Sequence, residues 1–207
     1  VQRLSSFGKR LRTIDRIAAN CYEDLYVGLG TAQPTPSLLP FSYADSGFSP
    51  VTFRRGVPLR RLRHNPNLFP LIVLPQHRLD NVWALSSVLH EVSHNLQADL
   101  GLWEEIPVRV YQRLTAEGHF APDVARIWAG WHKETMADMF ALVLGGPGAV
   151  ESLMDVVGRS PANTLRFSPF SAHPTPYLRV LINLILLRRL GFDQMAADLT
   201  RGWQRLY

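Results

Sequence analysis

The sequence of 207 residues contains one cysteine, Cys21, so no disulfide can form within the chain. A stapled secreted scaffold is thereby excluded. The lone thiol fits a reducing compartment, so a cytoplasmic location is the first expectation and export as a soluble protein the second. The chain begins at Val1 rather than Met, which leaves room for a leader removed upstream. No low-complexity tract and no repeat of solenoid period occurs. No apolar run reaches the roughly 20 residues of a membrane span. The most apolar stretch, Tyr177 to Leu187, is interrupted by Arg179 and followed by Arg188 and Arg189. Charged residues make up 19% of the chain against 46% hydrophobic ones, which excludes a coiled coil and a disordered tail. This length fits one domain with a sizeable core. We expect a single domain over 1–207, with an N-terminal helix, loop and basic hairpin over 1–63 and a C-terminal helix over 190–207.

The net charge is +5, much of it from Arg54, Arg55, Arg60, Arg61 and Arg63. No aromatic residues interleave with these arginines as a base-stacking platform requires. The cluster reads as a solvated basic hairpin rather than a nucleic-acid surface.

Apolar spacing predicts a helix over Lys9 to Tyr26, ended by Gly28 and Gly30. Thr31 to Pro50, rich in Pro, Ser and Gly, reads as a long surface loop. Val51-Thr52-Phe53 and Leu71-Ile72-Val73-Leu74 read as short strands, and Pro70 and Pro75 bracket the second, which suggests an edge strand. Helices follow: from Asn81 to about Leu100 with Asp80 as N-cap and Gly101 as stop, then Ile106 to Ala116, Pro122 to Leu144, Ala149 to Val157, Tyr177 to Leu190, and Gln194 to Trp203. The expected class is α+β, a small sheet with an edge strand near the site and helices elsewhere.

Inside the predicted helix after Asp80 stands His90-Glu91-Val92-Ser93-His94. Residues four apart share a helix face, about 5–6 Å apart at Cβ, so two imidazoles can converge on one ion. Glu91, rotated by about 100°, can lean toward a water on that ion without becoming a ligand. The string is not rare enough to decide the matter alone. The largely apolar helix around it (Val88, Leu89, Val92) adds weight, because histidines there need partners. A catalytic zinc needs a third protein ligand and an open position. Asn95 to Leu100 lacks the Gly and third His of a metzincin. Glu134-Thr135-Met136-Ala137-Asp138 lies on another helix, where Glu134 would complete the ligand set. On the same face, Asp138 could accept the spare N–H of a ligating histidine. His132 falls on a different face and reads as supporting or surface. His64, His77 and His119 fall in loops, and Trp128 and Trp131 read as core.

These two motifs resemble the gluzincin signature. Glu134-x-x-Ala137-Asp138 is similar to the HtpX and CaaX-prenyl-protease group and its small soluble relatives, the minigluzincins. Ser171-Ala172-His173-Pro174, with Arg179 six residues after the histidine, is similar to a further segment of that group. The resemblance covers about Leu71 to Arg179. It implies a zincin-like fold, one zinc per chain held by His90, His94 and Glu134, and Glu91 as general base in peptide hydrolysis. It also implies His173 as a donor to the oxyanion, with Arg179 supporting the site. The substrate is then a peptide or protein, paired with the Leu71–Leu74 strand. A rival within the class is a zinc-binding regulatory protein similar to the ImmA/IrrE type, which Phe140-Ala141 after the second motif also fits.

Overall fold

Leu11, Ile14, Ala18 and Cys21, spaced three or four apart, form the buried stripe of α1 (Gly8–Leu29). The computed structural model describes residues 1–30, 34–59, 65–116, 118 and 120–207. Thr31, Arg60, Arg61, Arg63, His64 and His119, all named above, lie outside the described residues. The chain divides into two compact units, Val1–Asp99 and Leu100–Tyr207.

In the N-terminal unit, α1 packs on β1 (Phe41–Asp45) and on α2 (Ser86–Asp99). The sheet is completed by β2 (Val51–Phe53) and β3 (Leu71–Pro75) in the order β1-β3-β2. β1 runs parallel to β3, with Phe41 opposite Leu71, and β2 runs antiparallel, with Val51 opposite Val73. Two expectations are corrected here. β3 is the central strand, not an edge, because its two prolines stand at the ends of the ladder rather than within it. Pro70 still accepts the Phe41 N–H through its carbonyl at 2.9 Å, and Pro75 occupies the last paired position. Four consecutive buried residues, Ile72 to Pro75, mark β3 as covered on both faces. The edge strand beside α2 is β2.

The second correction is β1 itself, which falls inside the predicted loop. Its buried positions are Ser42 and Ala44, too polar and too small to read as a strand. Ser42 is tolerated there because its hydroxyl lies 2.6 Å from an Asp15 carboxylate oxygen and 3.1 Å from the Leu11 carbonyl, and its N–H donates to Asp15 at 2.8 Å. Arg3 closes this cluster by pairing with Asp15.

Side-chain bonds also fix α2. Asn95 Nδ2 donates to Thr52 Oγ1 on β2 at 2.7 Å and to the Glu91 carbonyl at 3.0 Å. Asp99, at the last turn, accepts from Tyr22 on α1 at 2.9 Å and from Arg55 Nε at 3.2 Å. Arg55 also donates to the Leu68 and Leu38 carbonyls, so it braces three segments rather than joining a solvated cluster. The approach to α2 differs from the expected cap. Asn81, not Asp80, accepts the Trp83 N–H at 3.0 Å and opens a 3₁₀ turn, Val82–Leu85, before α2 begins. Asp80 instead pairs with Arg10.

The C-terminal unit is helical: α3 (Leu102–Ala116), α4 (Pro122–Gly145), α5 (Pro147–Val157), α6 (Pro161–Thr164), α7 (Pro176–Arg189) and α8 (Asp193–Leu206). α3 starts a turn earlier than expected and carries Pro107 inside it. α4 and α5 are divided by Gly146, whose φ of 66° suits glycine and lets Pro147 start the next helix. α4 packs against α3, α5 and α7, and α7 against α5 and α8. The core includes Val150, Val180, Leu184 and Leu187. Trp203 is buried between Tyr177 and Tyr207. The one-turn α6 escaped the sequence reading. Thr164 at its end is fully buried and accepts the Arg159 N–H at 3.0 Å.

No helix among the described residues is long and apolar enough to cross a membrane.

Burial of Cys21, reinforced by the neighbouring Asp24, pushes its thiol from the ordinary 9.0 up to about 11. Tyr22 is raised as well, chiefly by burial and then by Asp99. A group whose folded pKa lies above its unfolded one stabilises fully below the unfolded value and loses that stability as pH rises toward the folded one. The unfolding midpoint should therefore fall as pH is raised from 9 toward 11. A thiol reagent at pH near 8 should leave Cys21 untouched until denaturant is added. Prompt stoichiometric labelling of the native protein would contradict its burial.

Candidate metal centre

His90 and His94 occupy one face of α2. Their Nε2 atoms stand 3.0 Å apart, with the rings perpendicular and their centroids 4.6 Å apart. His94 is buried and His90 half-buried. Two imidazoles turning the same ring nitrogen toward one point is the geometry of a shared ligand or of a histidine–histidine hydrogen bond. Ligand atoms around a tetrahedral zinc stand about 3.3 Å apart, from Zn–N distances of about 2.0–2.1 Å, and the 3.0 Å of this pair is close to that spacing. Glu91, 6% exposed, sits next to His90 on this helix. A carboxylate so placed is shielded from water and has a strong call on any cation or donor nearby.

In the C-terminal unit, α4 carries Glu134 and Asp138 one turn apart. Asp138 is buried and receives Arg179 from α7 through two parallel bonds, Nε to Oδ2 and Nη2 to Oδ1, both 2.7 Å. This fork is the strong form of charge-assisted hydrogen bond. The guanidinium also stands 3.6 Å from Glu134 Oε2, and His173 Nε2 stands 3.4 Å from the same oxygen. Asn183 donates to the Arg179 carbonyl at 2.9 Å, one turn along α7. The His173 segment is held as well. Trp131 Nε1 donates to the Ser171 carbonyl at 3.1 Å, and Ser171 Oγ accepts the His173 N–H at 3.0 Å. The His173 side chain is 59% exposed, which leaves it accessible to a ligand.

His90, His94 and Glu134 form a group that could hold a metal ion, with one ligand atom from each lying within 4.8 Å of the others. The donor set of two imidazole nitrogens and one carboxylate suits a divalent ion of borderline softness. Of the residues expected from sequence, these three are brought together, with Glu91 beside His90 and with Asp138, Arg179 and His173 around Glu134.

Other residues differ from expectation or were missed. His132 is buried, with Nδ1 2.9 Å from the Ala129 carbonyl, and burial holds its pKa below the usual histidine value. His77 is exposed on the 3₁₀ turn Gln76–Arg78 rather than in a loop, and Trp131 is core. Asn95, Asp99 and Trp131 fix the site-bearing elements, yet no motif flags them. The available signal was polar residues on the buried side of α2, where Asn95 and Gln97 are almost fully covered.

No protein-family model matches this sequence, and no curated protein or solved structure is significantly similar to it.

Arg179 and Asp138 are 9% and 2% exposed. Removing one member of a buried ion pair strands the other charge, at a cost of about 3–5 kcal/mol. Arg179→Leu should lower the unfolding free energy by that amount in a denaturant titration. Arg179→Lys should recover part of it, since an ammonium restores the charge but not the fork. A loss for Arg179→Leu no larger than a surface substitution would refute the pairing.

Proposed function

We propose that this chain is a zinc-dependent peptidase of the gluzincin type with a zincin-like fold. The observation that carries the reading is the convergence of His90, His94 and Glu134 next to the buried carboxylate of Glu91. A purely structural metal site has no need of a second, non-ligating acid at this spacing. A zinc ion held there would polarise a peptide carbonyl and bring the pKa of a coordinated water to about 7.

The residues supply the rest. Glu91 takes the proton from the attacking water and passes it to the leaving amine. His173, exposed and beside Glu134, donates a hydrogen bond to the tetrahedral oxyanion, a contact worth about 3–4 kcal/mol in the transition state. Arg179 holds Asp138 and limits the positions open to Glu134. Asp138, which accepts both parallel bonds of Arg179, acts on the site through that arginine. With β3 paired on both edges, main-chain pairing of an extended peptide falls to β2, which Asn95 ties to α2.

The purified protein should contain about one zinc per chain, measured by elemental analysis. Glu91→Gln should retain the metal and lose about 10²–10⁴-fold in peptide cleavage. His94→Ala and Glu134→Ala should lose both metal and cleavage. Metal-free wild-type protein would end the reading, cleavage surviving in Glu91→Gln would end the mechanism, and zinc without cleavage would favour the regulatory alternative.

A further inference from the structure

Beyond the metal site, the C-terminal unit holds a cavity of about 510 Å³ between the first half of α4 and the loop before His173. Such a volume lies within the about 300–1,000 Å³ of small-ligand sites. It accommodates one large side chain with some of its flanking main chain. Its walls are Ile127 and Gly130 on α4, and Pro169, Phe170, Ser171 and Ala172 on the loop. Asp123 and Arg126 lie at one end and are bonded to each other at 2.6 Å, so that end offers no net charge. Apart from Ser171, the rest of the lining is apolar.

Three features give this cavity a role. Asp123, Ile127, Gly130 and Glu134 fall within about 60° of one another around the helix at 100° per residue. The cavity therefore opens on the same stripe of α4 as Glu134, with Gly130 about 6 Å before it at 1.5 Å per residue. That is about two residues of an extended peptide at roughly 3.3 Å each. Second, Ser171 both lines the cavity and holds the His173 N–H, so its wall is continuous with the segment carrying His173. Third, Gly130 is an exposed glycine in the middle of a 24-residue helix. Glycine there is less stable than alanine, and a Cβ at this position would meet nothing within 4 Å. The helix therefore gives up stability without a steric reason, and what it gains is bare backbone facing the cavity. Across the mouth, Phe170 is 97% exposed, an aromatic ring with its face left to solvent.

We infer that this cavity is a specificity pocket for a bulky apolar side chain of a peptide substrate, bounded by Gly130 and Phe170. The inference rests on the peptidase reading and adds the substrate class to it. An extended chain whose carbonyl lies at Glu134 and His173 directs a side chain two residues away into the space between Ile127, Gly130 and Phe170. Charged side chains gain nothing there, because Asp123 and Arg126 satisfy each other.

The test uses the full chain loaded with zinc and hydroxamate-capped dipeptides bearing Ala, Leu or Phe, with affinity read by calorimetry so that no cleavage is required. Wild-type protein should bind the Leu and Phe compounds at least ten-fold more tightly than the Ala compound. Gly130→Leu should fill the pocket and abolish that preference, and Phe170→Ala should reduce it several-fold. Gly130→Ala should raise the melting temperature and narrow the preference, which separates pocket filling from misfolding. Equal preference in Gly130→Leu, or no hydroxamate binding by a protein carrying zinc, overturns the pocket and leaves the metal site standing. A wild-type chain that takes up no zinc and binds no hydroxamate overturns both.

Discussion

The buried fork between Arg179 and Asp138 governs the chemistry available in the C-terminal unit. Two charges brought out of water need each other and their remaining hydrogen bonds. Here the guanidinium has its Asp138 bonds at 2.7 Å and a second carboxylate, Glu134, at 3.6 Å. One arginine thus faces two acids a helical turn apart on α4 and offsets the like charge they bring together. The arginine on α7 therefore also bears on where the Glu134 carboxylate can stand.

The N-terminal unit solves a different problem. Its histidine pair sits on a helix whose position comes from polar side chains rather than from apolar packing alone. Asn95 ties α2 to β2, and Asp99 collects Tyr22 and Arg55 at the helix end. Such bonds fix rotation about the helix axis, which apolar contacts control less tightly. Rotation matters here because both imidazoles must face the same point.

The parts legible in the sequence are those whose geometry is local. His90 with His94, and Glu134 with Asp138, are i, i+4 pairs, and helix geometry alone aligns them. All the helices of the C-terminal unit except the one-turn α6 were readable for the same reason, within a turn at their ends. What escaped depends on distant partners. β1 was hidden because Ser42 looks like a loop residue until Asp15 and Leu11, 27 and 31 positions away, satisfy it. The rank of β3 in the sheet was misread because Pro70 and Pro75 were weighed as breakers, when only their place at the ladder ends counts. Arg179 was noticed for its place after His173, but its bond to Asp138 spans 41 positions, and no spacing rule reaches that far. The cavity beside Gly130 has one wall on a helix and the other on a loop, so neither segment announces it.

The strand order carries a consequence for how this chain acquires its shape. β1 and β2 come first along the sequence, yet in the sheet they touch only β3, which arrives last. A chain synthesised only as far as residue 70 holds both outer strands and nothing to join them. Its first parallel pairing must close a loop running from β1 to β3, a slow and entropically costly event. Until then Phe41 and Val51 present open strand edges, and during synthesis that interval is when the chain is most prone to associate with its neighbours.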